Sequence, residues 1–315
     1  MAKNIIQFQK GLSFPKFLEN YGTEEQCYSV LFHLRWPDGF VCPECGNKTY
    51  CEIKSRKVYQ CHRCHRQTSL TSGTIFAATK VPLTKWFLAI YLLTQRKTSV
   101  SALQLKRDIG VSYNTAWKMK HKLMQVMLER EKGKKLSGRI EIDDAYIGGE
   151  RPGKPGRGAA HKAPFIAVVE TEGEEHRPQR MQLRTVSGFR SAEIERYAKT
   201  SLEVGSIVVS DGLACFKAVE KAGCHPIPFV SEGGRKGVEH PSFKWVNTLL
   251  GNVKNAITGT FHSVSLKHLP RYLAEFEYRF NRRYRLDDMI ERPAYVGLRT
   301  PPMPYRFLRM AEIGG

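Results

Sequence analysis

The sequence predicts a multidomain protein of the α+β / α/β class. Helices and a cysteine-rich module occupy its first half, and a mixed sheet flanked by helices its second. Three observations carry this expectation. Two Cys-x2-Cys pairs lie between residues 42 and 64, amphipathic helical runs continue to about residue 130, and β-rich runs then alternate with helical ones. At 315 residues the chain is long enough for two or three cores. Fifty Lys and Arg stand against thirty Asp and Glu, a formal charge of +20. An excess of that size repels itself unless a polyanion binds, so nucleic acid is the expected partner. The start, Met1-Ala-Lys-Asn-Ile-Ile6, lacks the apolar core of a signal peptide, and the longest apolar run, 86–93, is far short of a membrane span of about 20 residues. The expectation is a cytoplasmic protein with no membrane partner, whose eight Cys are reduced thiols or metal ligands.

Residues 1–40 read as a helical leader, with Phe14, Phe17 and Leu18 and then Cys27, Val30, Leu31 and Leu34 at helical spacing, ending at Trp36-Pro-Asp-Gly39. Residues 41–76 hold Cys42, Cys45, Cys61 and Cys64. Two Cys-x2-Cys pairs separated by residues 46–60 let two tight turns present four thiolates tetrahedrally to one zinc ion, as in a zinc ribbon. Cys51 lacks a partner at that spacing, and His62 and His65 are alternative ligands. A closed four-Cys site has no open coordination position, which makes it structural or DNA-docking.

Residues 77–131 read as a helical DNA-binding region. Between Thr98 and Met119 two helical runs meet at Gly110, with Ser112 placed to cap the second, as in a helix-turn-helix. Ala116, Met119, Leu123 and Val126 form an inward stripe, which leaves Lys118, Lys120, His121 and Lys122 for a major groove. The competing reading is an ordinary packed helix pair. Residues 132–138, with Lys132, Lys134 and Lys135, look like a linker.

The catalytic candidate spans 139–290, before a C-terminal tail at 291–315. Strands are expected at 139–147, 164–170, 181–186 and 206–210, helices at 191–202 and 213–222, a short run at 225–230, and then two long helices. Between the first two strands, Arg151, Lys154 and Arg157 make a cationic loop suited to DNA phosphates. Alternation in the first strand sets Ile140, Ile142 and Asp144 on one face and Glu141, Asp143 and Ala145 on the other, so only one of the adjacent aspartates can share that face. The strand 206–210 ends in Asp211-Gly212, at a sheet edge where a cation can be held. Two such aspartates on neighbouring strands can hold two magnesium ions about 4 Å apart. The order of elements around them suits an RNase H-like mixed sheet.

These features together resemble a known family. The ribbon, the leader Glu24-Glu-Gln-Cys27, and Arg35-Trp-Pro-Asp-Gly-Phe-Val-Cys-Pro are followed by Asp143-Asp-Ala-Tyr-Ile-Gly-Gly149, Ser210-Asp-Gly212 and Trp245-Val-Asn-Thr248. Gly259-Thr-Phe-His262, Tyr272-Leu-Ala-Glu-Phe276 and Asn281-Arg-Arg283 complete the series. The chain resembles, from about residue 14 to 285, bacterial insertion-sequence transposases that join an N-terminal zinc ribbon to a DDE-type domain.

The resemblance implies that Asp143 and Asp211 are the first two ligands of magnesium or manganese. The third position in this group carries Glu, Asn or His, followed seven residues later by a basic residue, which Asn247 and Lys254 fit. A helical reading agrees, since Val246, Leu249, Leu250, Val253 and Ile257 form one stripe and Asn247, Gly251, Lys254 and Thr258 an adjoining face. Asn247 is an Asp-Asp-Asn variant of the triad: its amide oxygen coordinates a cation but brings no charge. A helix cap is the alternative role for Asn247, Glu239 is a fallback ligand, and Lys254 is either a clamp on the DNA end or a surface lysine. His262 and His268 read as packed or solvated residues. Arg279, Arg282 and Arg283 read as solvated or phosphate-facing beside the stripe Tyr272, Leu273, Phe276 and Phe280. The implied activity is metal-dependent cleavage and strand transfer on double-stranded DNA, element ends and target, by a homodimer or higher assembly. A DNA-binding regulator with an inactive nuclease-like domain and a structure-specific nuclease are the rivals.

Overall fold

The computed structural model describes residues 11–96, 98–148, 162–229, 243–261 and 264–310. The chain forms two compact units, Met1–Arg130 with Arg282–Gly315, and Glu131–Asn281.

In the first unit, α1 (Phe14–Tyr21) starts at Ser13, whose hydroxyl accepts from the Lys16 amide. Helix α2 (Glu24–Arg35) starts in a reciprocal capping box between Thr23 and Gln26. The Arg35 guanidinium then donates to the carbonyls of Ser69, Leu70 and Ser72, tying the end of α2 to the exit of the ribbon. The ribbon is an antiparallel sheet of β1 (Tyr50–Ile53), β2 (Val58–Cys61) and β3 (Gln67–Ser69), in that order. Helix α3 (Leu83–Gln95) has its first amides, those of Leu83 and Thr84, capped by the Glu24 carboxylate at 3.0 and 3.2 Å. The expected helix pair is α4 (Ala102–Ile109), closed by Gly110 at φ 63, and α5 (Tyr113–Glu131), whose Thr115 amide donates to the Ser112 hydroxyl at 3.2 Å.

The chain returns to this unit from residue 282, not from 291. Helix α9 (Glu291–Gly297) packs against α2, and a Cβ on Gly297 would lie 2.9 Å from the Phe76 ring, so only glycine allows this approach. The segment expected as a tail is therefore partly structural, because its apolar residues Ala294 and Leu298, and Leu308 in α10 (Tyr305–Met310), are buried.

The second unit is a five-stranded sheet, order β6-β5-β4-β7-β8. Strands β4 (Arg139–Ile147), β5 (Ala163–Glu172) and β6 (Arg177–Thr185) run antiparallel, while β7 (Ile207–Ser210) and β8 (His225–Pro228) join β4 in parallel. Helix α6 (Ser191–Ser201) and a 3₁₀ stretch (Ala214–Ala222), expected as a regular helix, cover one face through Ile194, Ala198, Phe216 and Val219. Helices α7 (Lys244–Phe261) and α8 (Leu269–Phe280) cover the other, where Val246, Leu250, Val253, Leu273 and Phe276 meet Ala145, Phe165 and Val209. The supposed linker 132–138 is part of this unit. Leu136 is buried and exchanges backbone hydrogen bonds of 2.8 Å with Ser201 and Glu203, because an apolar side chain there is better placed under α6 than in water.

Strand β6 would be an exposed edge, but α8 and the residue after it complete its backbone. Asn281 bonds both ways with Met181, at 2.8 and 3.0 Å, and Glu277 accepts from the Leu183 amide while pairing with Arg184. Arg279 and Arg282 are buried, which corrects their reading as solvated charges. Among the described residues no helix is long and apolar enough to cross a membrane.

Candidate metal centres

In the ribbon, the sulfurs of Cys42, Cys45, Cys61 and Cys64 all lie within 4.8 Å of one another, with neighbouring pairs at 3.5 to 3.6 Å. Ligands about 2.3 Å from a zinc ion place tetrahedral neighbours roughly 3.8 Å apart, so the donor set fits zinc. Each knuckle is shaped by a left-handed residue just past its second cysteine, Gly46 at φ 70 and His65 at φ 57. The amides of those residues close the turns onto the Cys42 and Cys61 carbonyls at 3.0 Å. His65 is therefore a turn residue, and neither histidine nor the exposed Cys51 joins the cluster. The Cys45 amide holds the Cys42 thiol below its ordinary value, toward the thiolate that a metal needs.

The carboxylate centre is built by register. Strands β4 and β7 run parallel with Ile142 opposite Ser210, so Asp143, in the middle of β4, stands beside Asp211, the first residue past the end of β7. Carboxylate oxygens of Asp143, Asp144 and Asp211 lie within 4.8 Å of one another. Strict alternation along β4 would place only one of the adjacent aspartates at the site, but both arrive. Within β4 the Asp144 amide donates to Asp143 Oδ1 at 2.8 Å, which folds the first side chain back toward the second residue. Asp211 Oδ1 accepts from the Leu213 amide at 3.0 Å across Gly212, whose φ is 86. Burial, then the charges of Asp211 and Asp144, push Asp143 up to about 7, and Lys254 works in the opposite direction. Carboxylates crowded at the cost of such a shift form a hard donor set that fits a divalent cation.

Asn247 lies in the first turns of α7, with its amide nitrogen donating to the Phe243 carbonyl at 3.0 Å, and Lys254 is exposed two turns on. Sequence reasoning gave no role to Glu141. It is fully buried on the face of β4 that bears Asp143, and accepts from Arg139 Nη1 at 2.9 Å with one oxygen. Its other oxygen accepts from the Trp245 and Val246 amides at 2.9 and 3.0 Å. An acid alternating with isoleucines beside a ligand aspartate was the available signal.

The basic face expected on α5 is corrected. Lys120 is buried, and its ammonium donates to the Ser99 hydroxyl at 3.0 Å and the Val100 carbonyl at 2.6 Å. Lys122 donates to the Ile75 carbonyl at 2.7 Å, with burial lowering its pKa, and His121 is buried against the Trp117 ring. The cause is that α5 is a central helix with apolar contacts on several sides, including Met124 and Met127 as well as the expected stripe. Lys118 remains exposed beside the Tyr305 ring, and the exposed polar groups of the pair include Lys106, Arg107 and Asn114. His268 is a packed residue whose pKa burial lowers to about 4. Arg151, Lys154, Arg157, Glu239 and His262 lie outside the described residues.

A mixed RNase H-like sheet with carboxylates clustered on two adjacent strands, in a chain that also carries a four-cysteine ribbon, has the architecture of a DDE-type transposase domain joined to a zinc ribbon. Comparison with known proteins agrees. Residues 135–281 match the family described as ISXO2-like transposase domain, and residues 22–67 match the transposase zinc-ribbon domain. A protein of Halobacterium salinarum described as an uncharacterized protein in transposable element ISH50 is 30% identical over 133 residues, which cover 41% of this chain and 44% of that protein. The chain thus spans less than half the length of that curated relative. Two of its segments match transposase domain families, a zinc ribbon at residues 22–67 and an ISXO2-like transposase domain at residues 135–281.

Proposed function

We propose that this transposase binds double-stranded DNA at insertion-sequence ends, cleaves a strand there, and joins the freed 3′ end to target DNA. The observation that carries the reading is the convergence of Asp143 and Asp144, in the middle of β4, with Asp211 at the end of the adjacent parallel strand β7. Asp143, Asp211 and the Asn247 amide oxygen would hold magnesium or manganese. Asp144 adds the negative charge that a neutral third ligand withholds. The bound ions supply Lewis-acid polarisation of the scissile phosphate and of the attacking oxygen.

The carboxylates crowd one another until a cation or a proton relieves them, so the site is poised to take up positive charge. In the first reaction a water oxygen bonds to phosphorus and gives up a proton, the bond to the 3′ oxygen breaks, and the leaving oxygen takes up a proton. In the second, that 3′ hydroxyl oxygen bonds to a target phosphorus and gives up its proton, while the bond to the target's 3′ oxygen breaks and that oxygen takes up a proton. No covalent link to the protein forms in either step.

Lys254 offers a cation to the strand end beside Asp143. Lys118, with Lys106 and Arg107 in place of the inward-facing Lys120 and Lys122, forms the basic surface of the helix pair. Arg151, Lys154 and Arg157 would add further phosphate contacts, and the ribbon would add a docking surface. Synapsis of two ends calls for a homodimer or a higher assembly. The test is a strand-transfer reaction with paired element ends in magnesium. Wild type should give joined products, and Asp143→Ala none while still shifting the end DNA. Cleaved but never joined products from wild type would reduce the activity to a nuclease, and products unchanged by Asp143→Ala would reject the metal site.

A further inference from the structure

We infer that Glu141 is a positioning residue for the metal site, fixing the turn of α7 that carries Asn247 relative to Asp143. This rests on the reading of Asn247 as the third ligand.

Glu141 and Asp143 share one face of β4, two residues apart, a separation of about 7 Å in a strand. The Glu141 carboxylate is fully buried, and it spans two elements. One oxygen is held by Arg139 at 2.9 Å, and the other takes the amides of Trp245 and Val246 at 2.9 and 3.0 Å. Those two amides are among the orphan donors of the helix start, where the partial positive charge of the helix also favours an anion. Phe243, just before the helix, has no side-chain acceptor with which to cap them. Asn247 follows Val246 directly, about 1.5 Å further along the helix axis. The path from one ligand to the other is therefore short and stiff: Asp143, the β4 backbone, the Glu141 carboxylate, the helix start, Asn247.

A salt bridge serving the core alone would need only the Arg139 side of this arrangement. Packing of Val246, Leu249 and Val253 in the core holds α7 against the sheet, but apolar contact is non-directional and does not by itself set the helix's position along or about its axis. Two directed hydrogen bonds to one buried carboxylate remove that freedom. A neutral amide ligand makes the demand stricter, since it binds a cation only when its oxygen is already in place.

The test uses the full-length protein with ferrous ion, ascorbate and peroxide, so that hydroxyl radicals cut the backbone next to the bound metal. In wild type the cuts should fall near residues 143, 211 and 247. Glu141→Gln should keep the first two, lose the third, and leave the far-ultraviolet circular dichroism unchanged. Its half-saturating Mn²⁺, read by electron paramagnetic resonance without DNA, should rise about 10- to 100-fold, the usual cost of losing a support behind a ligand. If Glu141→Gln does not fold, Arg139→Met with Glu141→Met removes the buried pair as a unit and should give the same loss of the third cut. Three cuts of equal strength in wild type and variant would leave the ligand reading standing and remove the role of Glu141. A wild type without the third cut would take Asn247 out of the site, and this inference with it.

Discussion

The two metal centres are assembled in opposite ways. All four ribbon sulfurs come from two matching knuckles between residues 42 and 64, each with its own left-handed turn residue. The carboxylate centre draws Asp143 and Asp144 from one strand, Asp211 from the next, and the proposed Asn247 from a helix fastened to Glu141 across 104 residues of sequence. A local site depends on short-range spacing and on its metal, because a ribbon is too small to fold on apolar contacts alone. A dispersed site depends on the register of the sheet and on how the helix is docked. Damage should therefore stay confined in the ribbon, whereas in the second unit it should separate ligand chemistry from fold.

The largest effect should come from the ribbon. Cys61→Ala should abolish stoichiometric zinc, measured by atomic absorption, with a loss on the order of 10 kcal/mol of metal-coupled folding. Proteolysis should then open residues 41–76 while fragments covering 135–281 persist. Equal loss of both regions would break the contrast.

Asp211→Asn is next. It keeps the shape of the strand end and the Leu213 turn, and should lower strand cleavage by at least about a thousandfold, roughly 4 kcal/mol, with an unchanged melting temperature. A folded variant that cleaves at the wild-type rate would remove Asp211 from the centre.

Asp143 gives a pH signature. Its carboxyl in the metal-free fold sits at about 7, above its ordinary value, because burial and the neighbouring acids disfavour the charge. A raised folded value means that its stabilising contribution is present below the unfolded pKa of about 4 and declines as pH climbs to about 7. Below about 7 a divalent cation must displace that proton, so Mn²⁺ affinity should fall about tenfold per pH unit. Asp143→Asn should flatten the stability slope, and a metal affinity independent of pH between 5 and 7 in wild type would count against a proton shared with the metal site.

The smallest effects separate the lysines. Lys120→Met should lower stability by about 1 to 3 kcal/mol, by leaving the Val100 carbonyl and Ser99 hydroxyl without their donor. It should leave the salt dependence of DNA binding alone. Lys118→Ala should do the reverse, reducing the slope of log affinity against log salt by about 1 with no change in melting temperature. An unchanged salt slope for Lys118→Ala would take that lysine off the DNA.

By itself the sequence determined whatever depends on near neighbours. Cys-x2-Cys spacing specifies a knuckle, Gly110 and Ser112 specify a helix stop and start, and alternating isoleucines specify a strand with its two faces. The apolar stripe from Val246 to Ile257 was legible for the same reason, since helical periodicity is local. Tertiary structure alone decided which of the basic residues on α5 face water, because that depends on how many sides of a helix are covered. It also brought Asp143 and Asp144 beside Asp211, folded the chain from 282 onward back onto the N-terminal unit, and joined Glu141 to the start of α7. Each of these is a contact between segments distant in the chain, fixed by packing and by the need to pair buried polar groups, for which sequence spacing carries no signature.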